Sequence, residues 1–154
     1  MSEHSELPAD LPSQGRFEGR VHHLPVRIYY EDTDFSGVVY HANFLRYFER
    51  GRSDFMRAAG IIHSELLQGE DPMAFALTRI AVDFLKAGRI DDALVVKTTY
   101  DAIKGPRLLI SQSIWRGAEE IARAEVEACC ISLAGRPKRP PPLLSEKLTP
   151  YFTR

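Results

Sequence analysis

Residues 29–43, YYEDTDFSGVVYHAN, contain a cluster of carboxylates whose types and spacing could do chemistry. Three acids fall within four positions: Glu31, Asp32 and Asp34. A carboxylate that acts as a nucleophile or general base needs an electrophile held beside it. The cluster stands just before a predicted helix. The start of a helix offers unpaired N–H groups and the positive end of the helix dipole, which polarise a carbonyl oxygen.

Asp34 has the best position for such chemistry. It precedes the helix start by some seven residues, so it could face a carbonyl group held by N–H groups near His41. Gly37 lies between them and would let the backbone approach a substrate closely, because glycine has no side chain. This arrangement suits acyl transfer or hydrolysis. The neighbouring acids, by their negative charge, are expected to raise the pKa of Asp34.

Two other interpretations of the cluster stay open on the residues alone. A run of charges is commonly a solvated surface turn, although the apolar GVVY that follows is unlike one. A calcium-binding EF-hand loop is also matched at positions one, three, five and six by Asp32, Asp34, Ser36 and Gly37. Position twelve, where a bidentate Glu belongs, is Asn43, and a strand precedes the loop where an EF-hand has a helix.

Signatures of other chemistries are missing from the sequence. The chain has no GxxxxGK[ST] phosphate loop, no GxGxxG dinucleotide fingerprint and no HExxH zinc motif. GRSDF at 51–55 lacks the second glycine of a nucleophile elbow. Cys129 and Cys130 are adjacent and are the two cysteines of the chain, so no CxxC metal or redox motif is available. We therefore expect neither a metal nor a redox cofactor.

Hydrophobic periodicity predicts one α+β domain over residues 21–135. Residues 21–30 read as a strand, and 43–59 as a helix with apolar positions at three-and-four spacing. Four longer stretches with strand character follow, at 75–86, 94–103, 107–116 and 119–134. The last is also rich in the helix formers Ala and Glu, so helix and strand compete there. The expected architecture is a helix that covers one face of an antiparallel sheet.

The two ends of the chain are expected to differ from the domain. Residues 1–20 are rich in Ser, Pro and charge and predict a disordered arm. Residues 136–154 form a Pro-rich tail that Leu143, Leu144 and Leu148 could dock as a short helix. The formal net charge of −1 argues against a dedicated nucleic-acid binder. Because the N-terminus lacks the apolar core of a signal peptide and no apolar run reaches membrane-spanning length, we expect a cytoplasmic protein.

A family resemblance rests on two stretches of the sequence. VRIYYEDTDFSGVVYHANFLRYFERGRSDFMRAAG (26–60) and VDFLKAGRIDDAL (82–94) closely resemble the YbgC-type acyl-CoA thioesterases. These proteins belong to the 4-hydroxybenzoyl-CoA thioesterase branch of the hotdog superfamily. The similarity runs from about Leu24 to Leu133. The resemblance implies a hotdog fold, with a five-stranded antiparallel sheet wrapped around one long central helix. It also implies homodimers that assemble into homotetramers and bind an acyl-CoA thioester at the subunit interface.

The resemblance carries catalytic roles onto four residues. Asp34, the second Asp of the DTD motif, is the catalytic carboxylate, either as nucleophile or as general base for water. The backbone N–H of His41 would polarise the thioester carbonyl, and its side chain would add a hydrogen bond. Gly37 permits close approach. Glu49 would orient water, or else would form an ion pair with an arginine at position 46 or 52.

Substrate binding is assigned to four further residues: Tyr40, Asn43, Lys104 and Arg107. For Asn43, a role as the cap of the helix is favoured over substrate binding, because Asn is common at that position. Lys104 and Arg107 flank the Gly105-Pro106 turn and would contact the phosphates of CoA. Lys86 and Arg89 are alternatives for that contact.

The predicted function is hydrolysis of acyl-CoA thioesters to free CoA and a carboxylic acid, with CoA as part of the substrate and no cofactor. The rival is a binding protein associated with acyl carrier protein or with the Tol-Pal envelope system, with weak thioesterase activity. A hotdog dehydratase is a second rival. Its different arrangement of His and acid is not found in this sequence.

Overall fold

The computed structural model describes residues 11–12 and 14–154. A six-stranded antiparallel sheet packs against helices, with strand order β1-β2-β4-β5-β6-β3. The strands are β1 Arg16–Glu18, β2 Val21–Arg27, β3 Met73–Phe84, β4 Ala93–Lys104, β5 Arg107–Arg116 and β6 Glu119–Ser132. The α-helices are α1 His41–Ala58, α2 His63–Gln68 and α3 Pro142–Leu148, and short 3-10 turns occupy Tyr30–Asp32 and Thr149–Tyr151.

Helix α1 forms because its apolar side chains recur on one face and bury against the sheet. Its buried residues are Phe44, Tyr47, Phe48, Gly51, Phe55 and Met56. Burying each large apolar side chain contributes roughly 1.5–3 kcal/mol. Gly51 allows the helix to approach closely, since an added Cβ would lie 2.7 Å from Val96 Cγ1. The helix begins two residues before the predicted start and ends at Ala58, where Gly60 adopts the left-handed φ of +87°.

The four long strands confirm the alternating patterns of the second half. In β6, where helix and strand competed, the small apolar residues at 122, 124, 126 and 128 are buried and lie two apart. The glutamates between them point the other way. A period of two fits one face of a sheet and would scatter these residues around a helix, so packing overrides the helix propensity of Ala and Glu.

The structure corrects the predicted architecture in its number of strands, in its N-terminal arm and in its number of helices. The sheet has six strands where five were predicted, because Arg16–Glu18 pairs with β2 although it lies within the arm predicted to be disordered. Phe17 stabilises this strand by stacking on Tyr151 with ring centroids 4.3 Å apart. Residues 1–10 and 13 of that arm lie outside the described residues. The predicted single helix is also wrong, since α2 and α3 accompany α1.

The C-terminal tail folds back on the domain as α3. Leu144 and Leu148 are buried, whereas Leu143 is 62% exposed. Pro142 starts the helix at a position where its missing N–H costs nothing. Among the described residues, no helix has the length and apolarity needed to cross a membrane.

The sheet order fixes which parts of the chain meet at each end of the domain. The C-terminal end of β2 pairs with the start of β4, as Arg27 opposite Ala93. The segment that follows β2, with the acidic cluster, therefore lies at the same end as the β3–β4 connection. The β4–β5 turn lies at the opposite end. Strand β3 forms one edge of the sheet, and β1 forms the other.

Candidate active site

The acidic cluster folds into a closed loop, residues 33–40, between the first 3-10 turn and α1. Thr33 and Val39 form an isolated β-bridge that closes the loop. Within it, the Asp34 N–H donates to the Val38 carbonyl at 2.9 Å. Gly37 has φ +82°, a left-handed conformation that favours glycine. The sequence thus folds locally around Gly37 so that Asp34 is presented at the surface.

The Asp34 carboxylate is held through one of its two oxygens. Oδ1 accepts from the Ser36 N–H at 2.8 Å, the Ser36 hydroxyl at 2.5 Å and the Val38 N–H at 3.4 Å. These hydrogen bonds, chiefly those from Ser36, hold the pKa of Asp34 below its usual range. The prediction that neighbouring acids raise this pKa is therefore wrong, because the donors of Ser36 stabilise the charged form.

The connection before β4 anchors the loop from below. The Val39 N–H donates to the Gly88 carbonyl at 2.8 Å, and the Ile90 N–H donates to the Gly37 carbonyl at 3.0 Å. Gly88 is buried, and a Cβ there would lie within 3.0–3.3 Å of side chains on three neighbouring segments. Arg89 forms a bridge with Val38. Gly88 was missed by sequence reasoning, since only this contact distinguishes it from other loop glycines.

The start of α1 carries no side-chain cap. Tyr40 is the N-cap residue, and its side chain makes no capping hydrogen bond. His41 is exposed, with its ring 4.6 Å from that of Tyr40 and 5.9 Å from that of Phe84. The first N–H groups of a helix have no intrahelical acceptor, so this end can accept a carbonyl oxygen from outside.

The capping role considered for Asn43 is wrong. Asn43 lies inside the helix, and its Nδ2 donates to the backbone carbonyl of Asp32 at 2.7 Å. The same carbonyl accepts the Tyr40 N–H at 3.2 Å. Asp32 also accepts the Tyr29 N–H through Oδ2 at 2.8 Å. Asn43 and Asp32 therefore tie the beginning of the loop to the first turn of α1.

Buried Tyr47 packs beneath this tether. Burial and the neighbouring Asp32 carboxylate both raise the pKa of Tyr47, so its hydroxyl stays protonated. The three acids of the cluster are thus unequal. Asp32 is engaged by the backbone, Asp34 is presented by its loop, and Glu31 is exposed.

Glu49 lies two turns along α1, away from the loop. It accepts the Ser53 hydroxyl at 3.0 Å. The alternative of an ion pair fails within the described part of the chain, because Arg52 donates to Gln112 Oε1 at 2.9 Å and Glu49 pairs with neither arginine. Glu49 instead borders a cavity together with His63.

The structure separates the two predicted cation positions from Asp34. Lys104 ends β4, and Arg107 begins β5, at the end of the sheet opposite the loop. Eleven residue steps along β4 correspond to about 35 Å. Of the alternatives, Lys86 forms an ion pair with Glu119 at 2.7 Å, whereas Arg89 adjoins the loop. Five predicted residues therefore meet at one junction: Asp34, Gly37, Tyr40, His41 and Asn43.

Comparisons with known proteins show the family to which the chain belongs. The family model of the thioesterase-like superfamily matches residues 29–148. The acyl-CoA thioesterase YbgC of Haemophilus influenzae is 39% identical over 110 residues, which cover 71% of this chain and 80% of that protein. The chain belongs to the YbgC-type thioesterases.

One further YbgC relative and one solved thioesterase structure agree with this assignment. The acyl-CoA thioester hydrolase YbgC of Escherichia coli is 33% identical over 108 residues, covering 70% of this chain and 79% of that one. The crystal structure of a probable thioesterase from Bartonella henselae superposes with a TM-score of 0.76 at 37% identity, covering 79% of this chain and 99% of that one. The fold is thus the hotdog-like thioesterase fold, with an antiparallel sheet and packed helices.

Proposed function

We propose that the protein hydrolyses acyl-CoA thioesters to free CoA and a carboxylic acid, and that Asp34 supplies the attacking group. Membership of the YbgC-type family supports the reaction. The observation that carries the role of Asp34 is the way its carboxylate is held. All three hydrogen bonds in the described structure go to Oδ1, which leaves Oδ2 available to a substrate or water.

The charge state of Asp34 suits this role. Its lowered pKa keeps the carboxylate ionised at neutral pH, as either mechanism requires. As nucleophile, Oδ2 would attack the thioester carbon, expel the CoA thiolate and form an anhydride that water then hydrolyses. As general base, Asp34 would take a proton from the water that attacks the same carbon. Both routes consume one water and release one carboxylic acid and one CoA.

The uncapped start of α1 supplies the complementary part of the site. In both routes the carbonyl oxygen gains negative charge. The N–H of His41 and the positive end of the α1 dipole would stabilise that charge as an oxyanion hole. Tyr40 and Asn43 flank this position. In our proposal, Asn43 acts through the tether to Asp32, and Tyr40 lines the approach to the thioester.

We further propose that the working unit is a homodimer paired through β3. In the part of the chain that the structure describes, β3 is an edge strand of 12 residues, and an unpaired strand edge invites pairing with another strand. On the inner face of β3, Leu77 is 50% exposed and Phe84 is 48% exposed. An antiparallel second copy would cover both side chains. It would also bring Lys104 and Arg107 of the partner subunit toward the Asp34 end, where the phosphates of CoA could be bound.

Release of CoA from a panel of acyl-CoA thioesters tests the reaction, with matched acyl-carrier-protein thioesters in parallel. We expect turnover of the CoA thioesters. If neither set is hydrolysed, the proposed function is wrong. Turnover in water labelled with oxygen-18 then separates the two routes. Label found in the peptide that contains Asp34 identifies a nucleophile. Label confined to the released acid fits a general base, and also an anhydride that water opens at its acyl carbon; an acyl adduct on Asp34, detected by mass spectrometry of the acid-quenched enzyme, tells these two apart.

A further inference from the structure

The side chain of Arg116 binds the β3–β4 connection, residues 85–92, at two points. Its Nη1 donates to the backbone carbonyl of Ala87 at 2.9 Å and to Asp92 Oδ2 at 2.8 Å. Its Nη2 donates to the carboxylate of Glu119 at the start of the next strand. The planar fork of arginine suits this arrangement, because it can bind several acceptors in fixed directions at once. Together these three contacts form the Arg116 clamp.

The connection that Arg116 holds is the one that supports the active-site loop. Arg116 ends β5 beside the start of β4, so it lies at the loop end of the sheet. The Val39 N–H donates to the Gly88 carbonyl, and the Ile90 N–H donates to the Gly37 carbonyl. The clamp binds the residue directly before Gly88. A chain of hydrogen bonds therefore runs from β5 through the connection to the loop.

A surface ion-pair network of little energetic weight is the alternative role for Arg116. The side chains of Arg116 and Glu119 are 31% and 38% exposed, and exposed ion pairs contribute little to stability. The contact with the Ala87 carbonyl favours a different role, because it restrains backbone atoms beside the support of the loop. Asp92 adds to this restraint, since its Oδ2 also accepts the Arg89 N–H at 3.0 Å. The clamp thus holds the backbone of the connection, not only its side chains.

Hydrogen bonds, more than apolar burial, hold the connection. Gly88 is buried, Asp92 is half-buried, and the other residues from 85 to 92 are exposed. A segment with little buried apolar surface opens at a lower free energy than the whole domain. Loss of the Arg116 clamp should therefore loosen the connection while the sheet and α1 stay folded.

The backbone at Asp91 shows that the connection is held in an unfavourable conformation. Its φ is +70°, the one positive value for a residue other than glycine in the described part of the chain. The Asp91 N–H donates to the Ile28 carbonyl at 3.0 Å, and the Asp91 carbonyl accepts Arg27 Nη1 at 2.8 Å. Such a conformation persists where surrounding contacts enforce it, and these positions cluster at functional sites. The connection is therefore a braced support for the loop.

We propose that Arg116 is a positioning residue for the reaction. By holding Ala87 and Asp92 it fixes the β3–β4 connection, and the connection in turn fixes the loop that carries Asp34. A displacement of the carboxylate by about 1 Å can cost about a hundredfold in rate, because attack requires the reacting atoms to be aligned. This inference rests on the proposed function. It adds a residue of β5 whose hydrogen bonds go to the connection and to Glu119.

Hydrogen exchange tests the link from the clamp to the loop. In Arg116→Ala, the amide protons of Val39 and Ile90 should exchange about tenfold faster, whereas those of the central strands should keep their wild-type rates. Arg123→Ala is the matched control, because Arg123 lies on the same β5–β6 hairpin and forms its ion pair with Glu120 at 2.7 Å. Unchanged exchange at both amides, or faster exchange confined to the hairpin, would overturn the proposal.

Steady-state kinetics test the link from the loop to the chemistry. For Arg116→Ala, kcat should fall between about tenfold and a hundredfold, with KM within about twofold of wild type. The acid limb of kcat/KM should stay at the wild-type pH, because the Ser36 donors that lower the pKa of Asp34 lie within the loop. Arg123→Ala should keep the wild-type kcat. A loss of kcat no larger than the unfolded fraction measured in urea would overturn the positioning role.

Arg116→Lys keeps the positive charge but cannot reproduce the planar fork, so it provides a second variant if Arg116→Ala fails to fold. Its kcat should remain severalfold below that of wild type, with the same two amide protons exchanging faster. A folded Arg116→Lys protein with the wild-type kcat and exchange rates would overturn the proposal while leaving thioester hydrolysis intact. If the wild-type protein hydrolyses no thioester, the proposed function is wrong and the positioning role falls with it, even where exchange confirms that the clamp holds the loop.

Discussion

Replacing Asn43 with alanine should reduce turnover without unfolding the protein. The Asn43 side chain makes one hydrogen bond, from Nδ2 to the Asp32 carbonyl at 2.7 Å. That carbonyl also accepts the Tyr40 N–H at 3.2 Å, so the substitution does not leave it unpaired. What is lost is the tether that holds the beginning of the loop against the first turn of α1.

The effects on stability nearly cancel. Loss of a single hydrogen bond whose acceptor keeps another partner costs about 1 kcal/mol. Alanine is a better helix former than asparagine by about 0.6 kcal/mol, which offsets most of this cost inside α1. The net change in the free energy of unfolding should therefore be about 0.5 kcal/mol or less. If the tether contributes about 1 kcal/mol to the placement of the loop, kcat should fall about fivefold.

Urea unfolding and steady-state kinetics measure the two effects separately. Arg46→Ala is the matched control, because Arg46 is exposed on the next turn of α1 and makes no hydrogen bond in the described structure. We expect kcat to fall for Asn43→Ala and to hold for Arg46→Ala, with KM changed little in both. An Asn43→Ala protein with the wild-type kcat and pH profile would refute the tether.

Three further predictions follow from particular contacts. Gly88→Ala should cost about 1–3 kcal/mol in urea unfolding, because its Cβ would crowd the support of the loop, whereas Gly69→Ala, with its nearest contact at 3.5 Å, should cost little. Ser36→Ala removes a donor that lowers the pKa of Asp34. Activity is lost as pH falls through that pKa, so the acid limb of kcat/KM should move to higher pH. Burial lowers the pKa of His22 below 6.5, so the unfolded chain gains a proton first as pH falls. The free energy of unfolding should therefore decline as the pH falls below 6.5. His22→Leu should lessen this decline, as measured by urea unfolding between about pH 7.5 and 5.5.

The elements with strong periodicity were predictable from the sequence. Helix α1 and strands β3 to β6 follow their apolar patterns to within a few residues. The face that each of these elements turns to the core is set by the spacing of its apolar residues. The loop around Gly37 was also predictable, since a glycine between an acid and a helix start is a local signal. Local patterns of this kind need no knowledge of the rest of the fold.

Features that depend on distant contacts were not predictable. Strand β1 exists because Phe17 stacks on Tyr151 near the other end of the chain. Asn43 looked like a helix cap, but its partner is the Asp32 carbonyl across the loop. The pKa of Asp34 depends on hydrogen bonds donated by Ser36, and counting the neighbouring charges in the sequence does not reveal them. Lys104 and Arg107 were expected to lie near the site, but β4 runs away from the Asp34 loop and places them at the opposite end of the sheet.

Comparison of Asp34→Asn with Glu31→Gln tests the central claim most directly. Both substitutions neutralise one acid of the same cluster and nearly preserve its shape. Release of CoA from a good acyl-CoA substrate is measured for both, with the fold checked by thermal unfolding. We predict that Asp34→Asn loses about a thousandfold in kcat, while Glu31→Gln retains most of the wild-type rate. A folded Asp34→Asn protein with the wild-type kcat, or equal losses in the two variants, would contradict the account.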